Sequence, residues 1–99
     1  MSLIHYEKDF SKIIEKNAVV DFYANWCGPC KMFGPIFEEV SGEKDINFVK
    51  IDVDKFSDIA REYGVMSIPT IILFENGMEI KRFTGFMSKE KFTEFLNKK

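Results

Sequence analysis

The sequence of 99 residues lacks two features that would indicate particular partners. Its longest apolar stretches are only a few residues, so no segment is predicted to cross a membrane as a helix. It has no basic cluster either: 14 Lys and Arg stand against 16 Asp and Glu, for a formal net charge of −2. This balance predicts no surface for nucleic acid or for an anionic membrane.

Histidine and cysteine are also scarce. His5 is the only histidine, and Cys27 and Cys30 are the only cysteines. A zinc site needs four ligands, and His5, far off in sequence, is the only further soft or borderline ligand available to the two thiols. A structural disulfide between Cys27 and Cys30 would close so short a loop that it would stabilise the fold little. His5 is therefore interpreted as a strand-end or surface residue, and the thiols as a redox pair.

The N-terminal region lacks the apolar stretch of a signal peptide. The charged or titratable side chains within the first 25 residues include His5, Glu7, Lys8, Asp9, Lys12, Glu15 and Lys16. The simplest expectation is a soluble, cytoplasmic protein. A cleaved organelle-targeting segment remains the alternative.

The sequence has enough apolar residues for one packed core. A hydrophobic fraction of 45% with eleven phenylalanines predicts a globule, and residues 1–99 suffice for one domain. Apolar runs predict strands at 3–5, 18–23, 47–52, 70–74 and 80–84, the last two joined by an Asn-Gly turn. Helical spacing occurs around Phe10, over roughly 28–41, from Phe56 to Tyr63 with an end at Gly64, and after a Ser88 cap. This order predicts an α/β fold with helices on both faces of a sheet.

The two cysteines lie where a predicted strand runs into a predicted helix. Cys27 falls at the helix N-terminus, where unpaired N–H groups and the helix dipole favour a thiolate. We therefore predict that Cys27, at an exposed first turn, is the nucleophile and that Cys30, one turn deeper, is shielded. Pro29 fits a first helical turn, where its missing N–H costs nothing. Lys31 is either an ordinary solvated lysine or an influence on thiol acidity.

Several motifs together resemble those of the thioredoxin family over nearly the whole chain. They are Phe22-Tyr23-Ala24, Trp26-Cys27-Gly28-Pro29-Cys30-Lys31-Met32, Pro35, Val49-Lys50-Ile51-Asp52-Val53-Asp54, Tyr63-Gly64-Val65, Ile68-Pro69-Thr70, Asn76-Gly77 and Gly85. The resemblance implies a thioredoxin fold with a mixed, five-stranded sheet. It also implies a Cys27–Cys30 disulfide in the oxidised form and no cofactor.

Asp21 is an acidic residue inside an otherwise apolar strand. Val19, Val20, Phe22 and Tyr23 flank it, so both faces of the strand are expected to be covered and the pKa of the carboxyl to rise. An aspartate at a strand edge pointing at water is the alternative. The resemblance places at this position the buried carboxylate behind the second cysteine, and it matches Lys50 to the lysine beside that carboxylate. A merely solvated Lys50 is equally compatible with the sequence.

The substrate-binding residues are predicted from the resemblance. From sequence alone, Ile68–Pro69 would be a trans bond, whereas the family holds it cis beside the cysteine pair. Phe86 is bulkier than the alanine often found near this rim. The predicted substrate-binding residues are Trp26, Gly28, Pro29, Gly64, Ile68, Pro69, Thr84 and Gly85.

The resemblance implies a monomeric protein-disulfide reductase that is re-reduced by a thioredoxin reductase and acts on protein disulfides. Cys27, Cys30, Asp21 and Lys50 would carry the reaction. An oxidase or isomerase of the same fold is one alternative, although those relatives carry a histidine before the second cysteine, where this chain has Pro29. A non-enzymatic module that binds partners through the same surface is the other.

Overall fold

The computed structural model describes residues 2–97 and contains a five-stranded mixed sheet with four helices. In chain order the elements are β1 (Ser2–His5), α1 (Phe10–Ile13), β2 (Ala18–Tyr23), α2 (Gly28–Ser41), β3 (Asn47–Asp52), α3 (Ser57–Glu62), β4 (Thr70–Glu75), β5 (Met78–Thr84) and α4 (Lys89–Asn97).

The strand order is β1-β3-β2-β4-β5. β3 pairs in parallel with both β1 and β2, whereas β4 runs antiparallel to β2 and β5 antiparallel to β4. The prediction of a mixed, five-stranded sheet is therefore confirmed. The central strand β2 is buried from Ala18 to Phe22 because helices cover both faces of the sheet.

Alternation along the strands divides the core into two layers. On one face, Val20 of β2 packs with residues of α1 and α3, such as Phe10 and Ala60. On the other face, Val19 packs with phenylalanines of α2, β3 and α4. Four of these rings contact one another, with centroid separations of 5.0–6.2 Å: Phe33, Phe37, Phe48 and Phe92. Asp21 and Lys50 belong to this second face by parity, so α2 lies over them.

The hairpin between β4 and β5 follows the predicted turn but is longer than predicted. Asn76 and Gly77 have φ values of 55° and 81°, as a tight type I′ turn requires. β5 begins at Met78 rather than at residue 80, because Met78 already pairs with Glu75 beside the turn. The pairing then slips between Leu73 and Phe74 and leaves Ile80 as an extra residue. The apolar pattern missed this start because most of β5 is an exposed edge.

Two helix boundaries agree with their sequence signals. The Ser88 hydroxyl accepts from the Lys91 N–H at 3.2 Å and caps α4. α3 ends at Glu62 and is closed by Gly64 just beyond its cap: Gly64 has a φ of +65°, and the Val65 N–H donates to the Ala60 carbonyl at 2.8 Å. This closure directs the chain from α3 towards Ile68.

Gly64 is a position where glycine itself should matter. We expect Gly64→Ala to lower the free energy of unfolding by about 1–2 kcal/mol, because its φ of +65° is strained for a residue with a Cβ, although the site is open. Gly42→Ala is the matched control: its φ is −82°, and a Cβ there would lie 3.6 Å from the Glu39 carbonyl oxygen, an ordinary contact. Urea unfolding of both variants measures the difference, and equal stability would contradict the role of φ.

Within residues 2–97, no helix is both long and apolar enough to cross a membrane.

Candidate active site

The two cysteines form a disulfide at the junction between β2 and α2. Cys27 has an extended backbone and is the N-cap of α2: its Sγ accepts from the Cys30 N–H at 3.2 Å, and its carbonyl accepts from the Lys31 N–H at 3.1 Å. Pro29 lies in the first turn, as predicted. After reduction, the same geometry would place a Cys27 thiolate against a helix N-terminus, which favours the negative charge.

The predicted difference in exposure between the two cysteines is wrong for this form. Cys27 and Cys30 are each 5% exposed, because the joined sulfurs pack with Ala24 and against Ile68. The two sulfurs differ instead in their surroundings. Cys27 is flanked by the exposed residues Trp26 and Gly28, whereas Cys30 borders a recess on the side of α2 that faces Lys50.

The loop before β4 lies directly beside the sulfur of Cys27. The Ile68–Pro69 bond is cis, which confirms the expectation from the resemblance. The Ile68 carbonyl oxygen lies 3.8 Å from the Cys27 Sγ. The Pro69 carbonyl accepts from the Gly85 N–H at 2.7 Å, so the end of β5 is tied to this loop. Ile68, Pro69 and Gly85 thus form one connected rim next to Cys27.

Three other predicted rim residues lie on separate segments of the chain. Trp26 is 70% exposed, and its indole N–H donates to Asp54 at 2.9 Å. Thr84 lies opposite Thr70, with 3.4 Å between their hydroxyl oxygens. Gly64 is exposed at the end of α3. Contacts of Gly28, Pro29, Gly64 and Thr84 with a substrate remain predictions.

Exposed apolar side chains that sequence reasoning did not assign also lie near these segments in the chain. Met66, two residues before Ile68, is 94% exposed, and Phe86, next to Gly85, is 42% exposed. Neither belongs to a periodic pattern, so the only sequence signal was their proximity to Ile68-Pro69 and Gly85.

Asp21 is buried in the middle of the sheet. It is 1% exposed, its register partners are Lys50 on β3 and Ile71 on β4, and neither carboxyl oxygen has a hydrogen-bond partner among the described residues. Burial raises the pKa of Asp21 from 3.8 to about 7, and the charge of Lys50 offsets part of this rise. The strand-edge alternative is therefore excluded, and Asp21 can exchange a proton near neutral pH.

Lys50 is held among three groups rather than pointing freely into solvent. Its side chain is 12% exposed, and its Nζ lies 3.7 Å from the Glu38 Oε2 and 4.8 Å from the centroid of the Tyr23 ring. It also lies opposite Asp21 in the sheet. This removes the alternative of a merely solvated Lys50.

A recess of about 240 Å³ opens beside Cys30. Its charged lining residues are Lys31, Glu38 and Lys50, and Tyr23 also lines it. Sequence reasoning did not assign Tyr23 or Glu38 to the site. A signal for Glu38 existed, since Cys30, Gly34 and Glu38 are spaced at i, i+4 and i+8 on one helix face. Among residues 2–97, no group of His, Cys, Asp and Glu side chains is arranged to hold a metal ion.

Comparison with known proteins agrees with this geometry. The family model described as Thioredoxin matches residues 2–98. The chain is 54% identical over 82 residues to a thioredoxin of Mycoplasmoides gallisepticum, covering 82% of each chain. It is 48% identical to a thioredoxin of Mycoplasma genitalium, covering 97% of this chain and 93% of that one. The structure of reduced Schistosoma mansoni thioredoxin is similar with a TM-score of 0.87 at 37% identity, covering 97% of this chain and 96% of that chain.

These matches span nearly the whole chain and include relatives well above 30% identity, and the cysteine pair stands at the start of α2 in a sheet of the same kind. The chain therefore belongs to the thioredoxin family and is a protein-disulfide reductase that works by dithiol–disulfide exchange.

Proposed function

We propose that Cys27 is the attacking sulfur. In the first step, the Cys27 thiolate attacks one sulfur of a substrate disulfide, an S–S bond forms between them, and the other substrate sulfur leaves as a thiolate that takes a proton from solvent. The observation that carries this assignment is the capping geometry: the Cys27 Sγ accepts the Cys30 N–H at 3.2 Å at the start of α2. Among residues 2–97, no N–H group donates to the Cys30 Sγ in the same way.

Cys30 completes the reaction. As a thiolate it attacks the Cys27 sulfur, the Cys27–Cys30 disulfide forms, and the second substrate sulfur leaves and is protonated. The substrate thus gains two electrons and two protons, and the protein is oxidised to the disulfide form.

Asp21 is the group that takes the proton from Cys30, directly or through water. A pKa of about 7 leaves Asp21 partly ionised at neutral pH, close to the value of about 8.5 for an ordinary thiol. Lys50 stabilises the charge that Asp21 acquires when it releases its proton. Both residues lie on the sheet face that α2 covers.

The rim beside Cys27 binds an extended substrate segment through its backbone. The Ile68 carbonyl lies beside the attacking sulfur, so a substrate strand that pairs with the Ile68 backbone would have its disulfide next to Cys27. Backbone pairing needs no particular sequence. The remaining residues of this proposed substrate-binding surface are Trp26, Gly28, Pro29, Gly64, Pro69, Thr84 and Gly85.

The partners follow from the direction of the reaction. The oxidised pair is re-reduced by a thioredoxin reductase, and the substrates are proteins with accessible disulfides. A reductase has to work where the redox poise keeps its dithiol reduced, which supports a cytoplasmic location. The protein acts as a monomer formed by a single domain, residues 1–99.

Equilibration with a glutathione buffer distinguishes a reductase from an oxidase or isomerase. We expect a reduction potential near the value of about −270 mV that is typical of thioredoxin, well below the value of about −180 mV for a disulfide isomerase. Quantifying free thiols across a series of glutathione ratios measures it. Reduction of insulin by NADPH and a thioredoxin reductase, only when this protein is added, tests the partner. A potential near that of the isomerase would contradict the proposed direction.

A further inference from the structure

Lys50 is shared between an internal and an external carboxyl group. On the inside it is the register partner of Asp21, and it is the charged group that lowers the pKa of that carboxyl. On the outside its Nζ lies 3.7 Å from the Glu38 Oε2, and the Glu38 side chain is 52% exposed. One ammonium group therefore interacts with two carboxyl groups in different environments.

The local packing places the ammonium group against α2. A Cβ at Gly34 would be 3.6 Å from the Lys50 Nζ, an ordinary contact distance, so the Nζ lies directly beside this turn of α2. The Tyr23 ring, 4.8 Å from the Nζ, borders it from β2. Glu38 lies one turn beyond Gly34 and, within the described residues 2–97, is the only acidic residue that lines the recess. The position of Lys50 thus depends on α2 as well as on the sheet.

The charged and titratable groups on the sheet face of Asp21 and at the recess come from several elements. From α2 the titratable or charged residues at the recess are Cys30, Lys31 and Glu38, and from β3 there is Lys50. β4 contributes the apolar Ile71. His5 of β1 lies opposite Lys50 in register but is exposed at the end of its strand. Tyr23, two residues after Asp21, lies on the same face of β2.

We propose that Glu38 is a positioning residue for the second exchange step: it draws the Lys50 ammonium towards the recess and so limits how strongly Lys50 stabilises the charged form of Asp21. This inference rests on the proposed role of Asp21 as the proton acceptor for Cys30. Its physical basis is competition, because an ammonium group that neutralises one carboxylate interacts less with another. Glu38 thereby keeps Asp21 protonated to a higher pH than Lys50 alone would.

The consequence is a shift in pH dependence when the Glu38 charge is removed. In Glu38→Gln, the Lys50 ammonium interacts with Asp21 without competition from Glu38, so the pKa of Asp21 falls. The second step then becomes faster at the acidic end of its pH profile. We expect a displacement of about half a pH unit, since the Glu38 side is open to solvent and screened. The attack by Cys27 should not change.

Glu39→Gln is the matched control. It removes the same charge from the neighbouring residue of α2, but Glu39 pairs with Lys89 at 2.8 Å, away from the recess. The reduced proteins are mixed with 5,5′-dithiobis(2-nitrobenzoate) in a stopped-flow instrument. Attack by Cys27 releases one nitrothiobenzoate, and attack by Cys30 on the resulting mixed disulfide releases the second. The pH profile of the second phase is compared with the Asp21 titration, followed by carboxyl ¹³C NMR.

Glu38→Gln should displace both the profile and the titration to lower pH, and Glu39→Gln should displace neither. Equal behaviour of the two variants would overturn the proposal. In a Lys50→Met background, Glu38→Gln should cause no displacement beyond that of Glu39→Gln. A displacement that persists there would show that Glu38 acts on Asp21 directly and would also overturn the positioning role.

Asp21→Asn separates this inference from the proposed function. If Asp21→Asn removes the acidic limb of the second phase while Glu38→Gln leaves that limb in place, only the role of Glu38 fails. If Asp21→Asn leaves the limb unchanged, Asp21 is not the proton acceptor and both proposals fail.

Discussion

Cys27→Ser should reduce the rate of insulin-disulfide reduction to the background rate, whereas Cys30→Ser should give a protein that accumulates mixed disulfides with its substrates. The first variant loses the sulfur that accepts the Cys30 N–H at the start of α2, where that donor stabilises a thiolate. The second variant keeps the attacking sulfur but loses the sulfur that resolves the intermediate. Non-reducing electrophoresis after mixing with an oxidised substrate measures the trapped species directly.

Two controls make this experiment decisive. The double variant with serine at both positions should trap nothing, and if it still binds partners without covalent capture, the alternative of a partner-binding module gains support. Circular dichroism should show that each variant is folded, since a disulfide across residues three apart constrains little of the unfolded chain. Equal trapping by the two single variants would contradict the assignment of attacking and resolving sulfurs.

Much of the fold could be predicted from local sequence signals. The strand from Ala18 to Tyr23 and the helix from residue 28 to residue 41 were predicted with the bounds that the structure shows, because both have long apolar patterns and clear boundaries. Periodicity did not specify the strand order, since it says nothing about which strands pair. The family resemblance added only that the sheet is mixed and five-stranded. The beginning of β5 was missed because an exposed edge strand has no buried face to impose alternation.

The residues of the site also differ in whether the local sequence could reveal them. The cysteine pair and Asp21 could be recognised from sequence because each is anomalous within its own segment. The contacts of Lys50 with Glu38 and Tyr23 join three different elements and depend on strand register and helix packing. The equal burial of Cys27 and Cys30 likewise depends on Ile68, which is distant in sequence. Spacing along α2 could have indicated Glu38, but only once Lys50 was known to lie beneath that face.

Asp21 should also make the stability of the protein depend on pH. Its pKa is raised from 3.8 to about 7 by burial, so between these values the folded protein holds a proton that the unfolded chain has released. Stability from this group is therefore fully present below about pH 4, falls as pH rises, and is lost above about pH 7. The difference corresponds to at most about 4 kcal/mol, because one pKa unit is equivalent to about 1.4 kcal/mol.

Asp21→Asn should abolish this dependence and leave the variant more stable than the wild type at pH 8. The expected gain in the free energy of unfolding is about one to a few kcal/mol, with about 4 kcal/mol as its upper limit. A buried amide without partners has its own cost, but that cost does not vary with pH. The measurement is therefore the change in the stability difference between pH 5 and pH 8, from urea unfolding of the oxidised proteins. Asp45→Asn, at an exposed aspartate, is the matched control and should show no such change.

The same Asp21 variant should release mixed disulfides more slowly at neutral pH, because Cys30 has lost its proton acceptor. A stability difference that stays constant across this range would mean that Asp21 titrates like an ordinary exposed carboxyl, which would also remove it from the second exchange step.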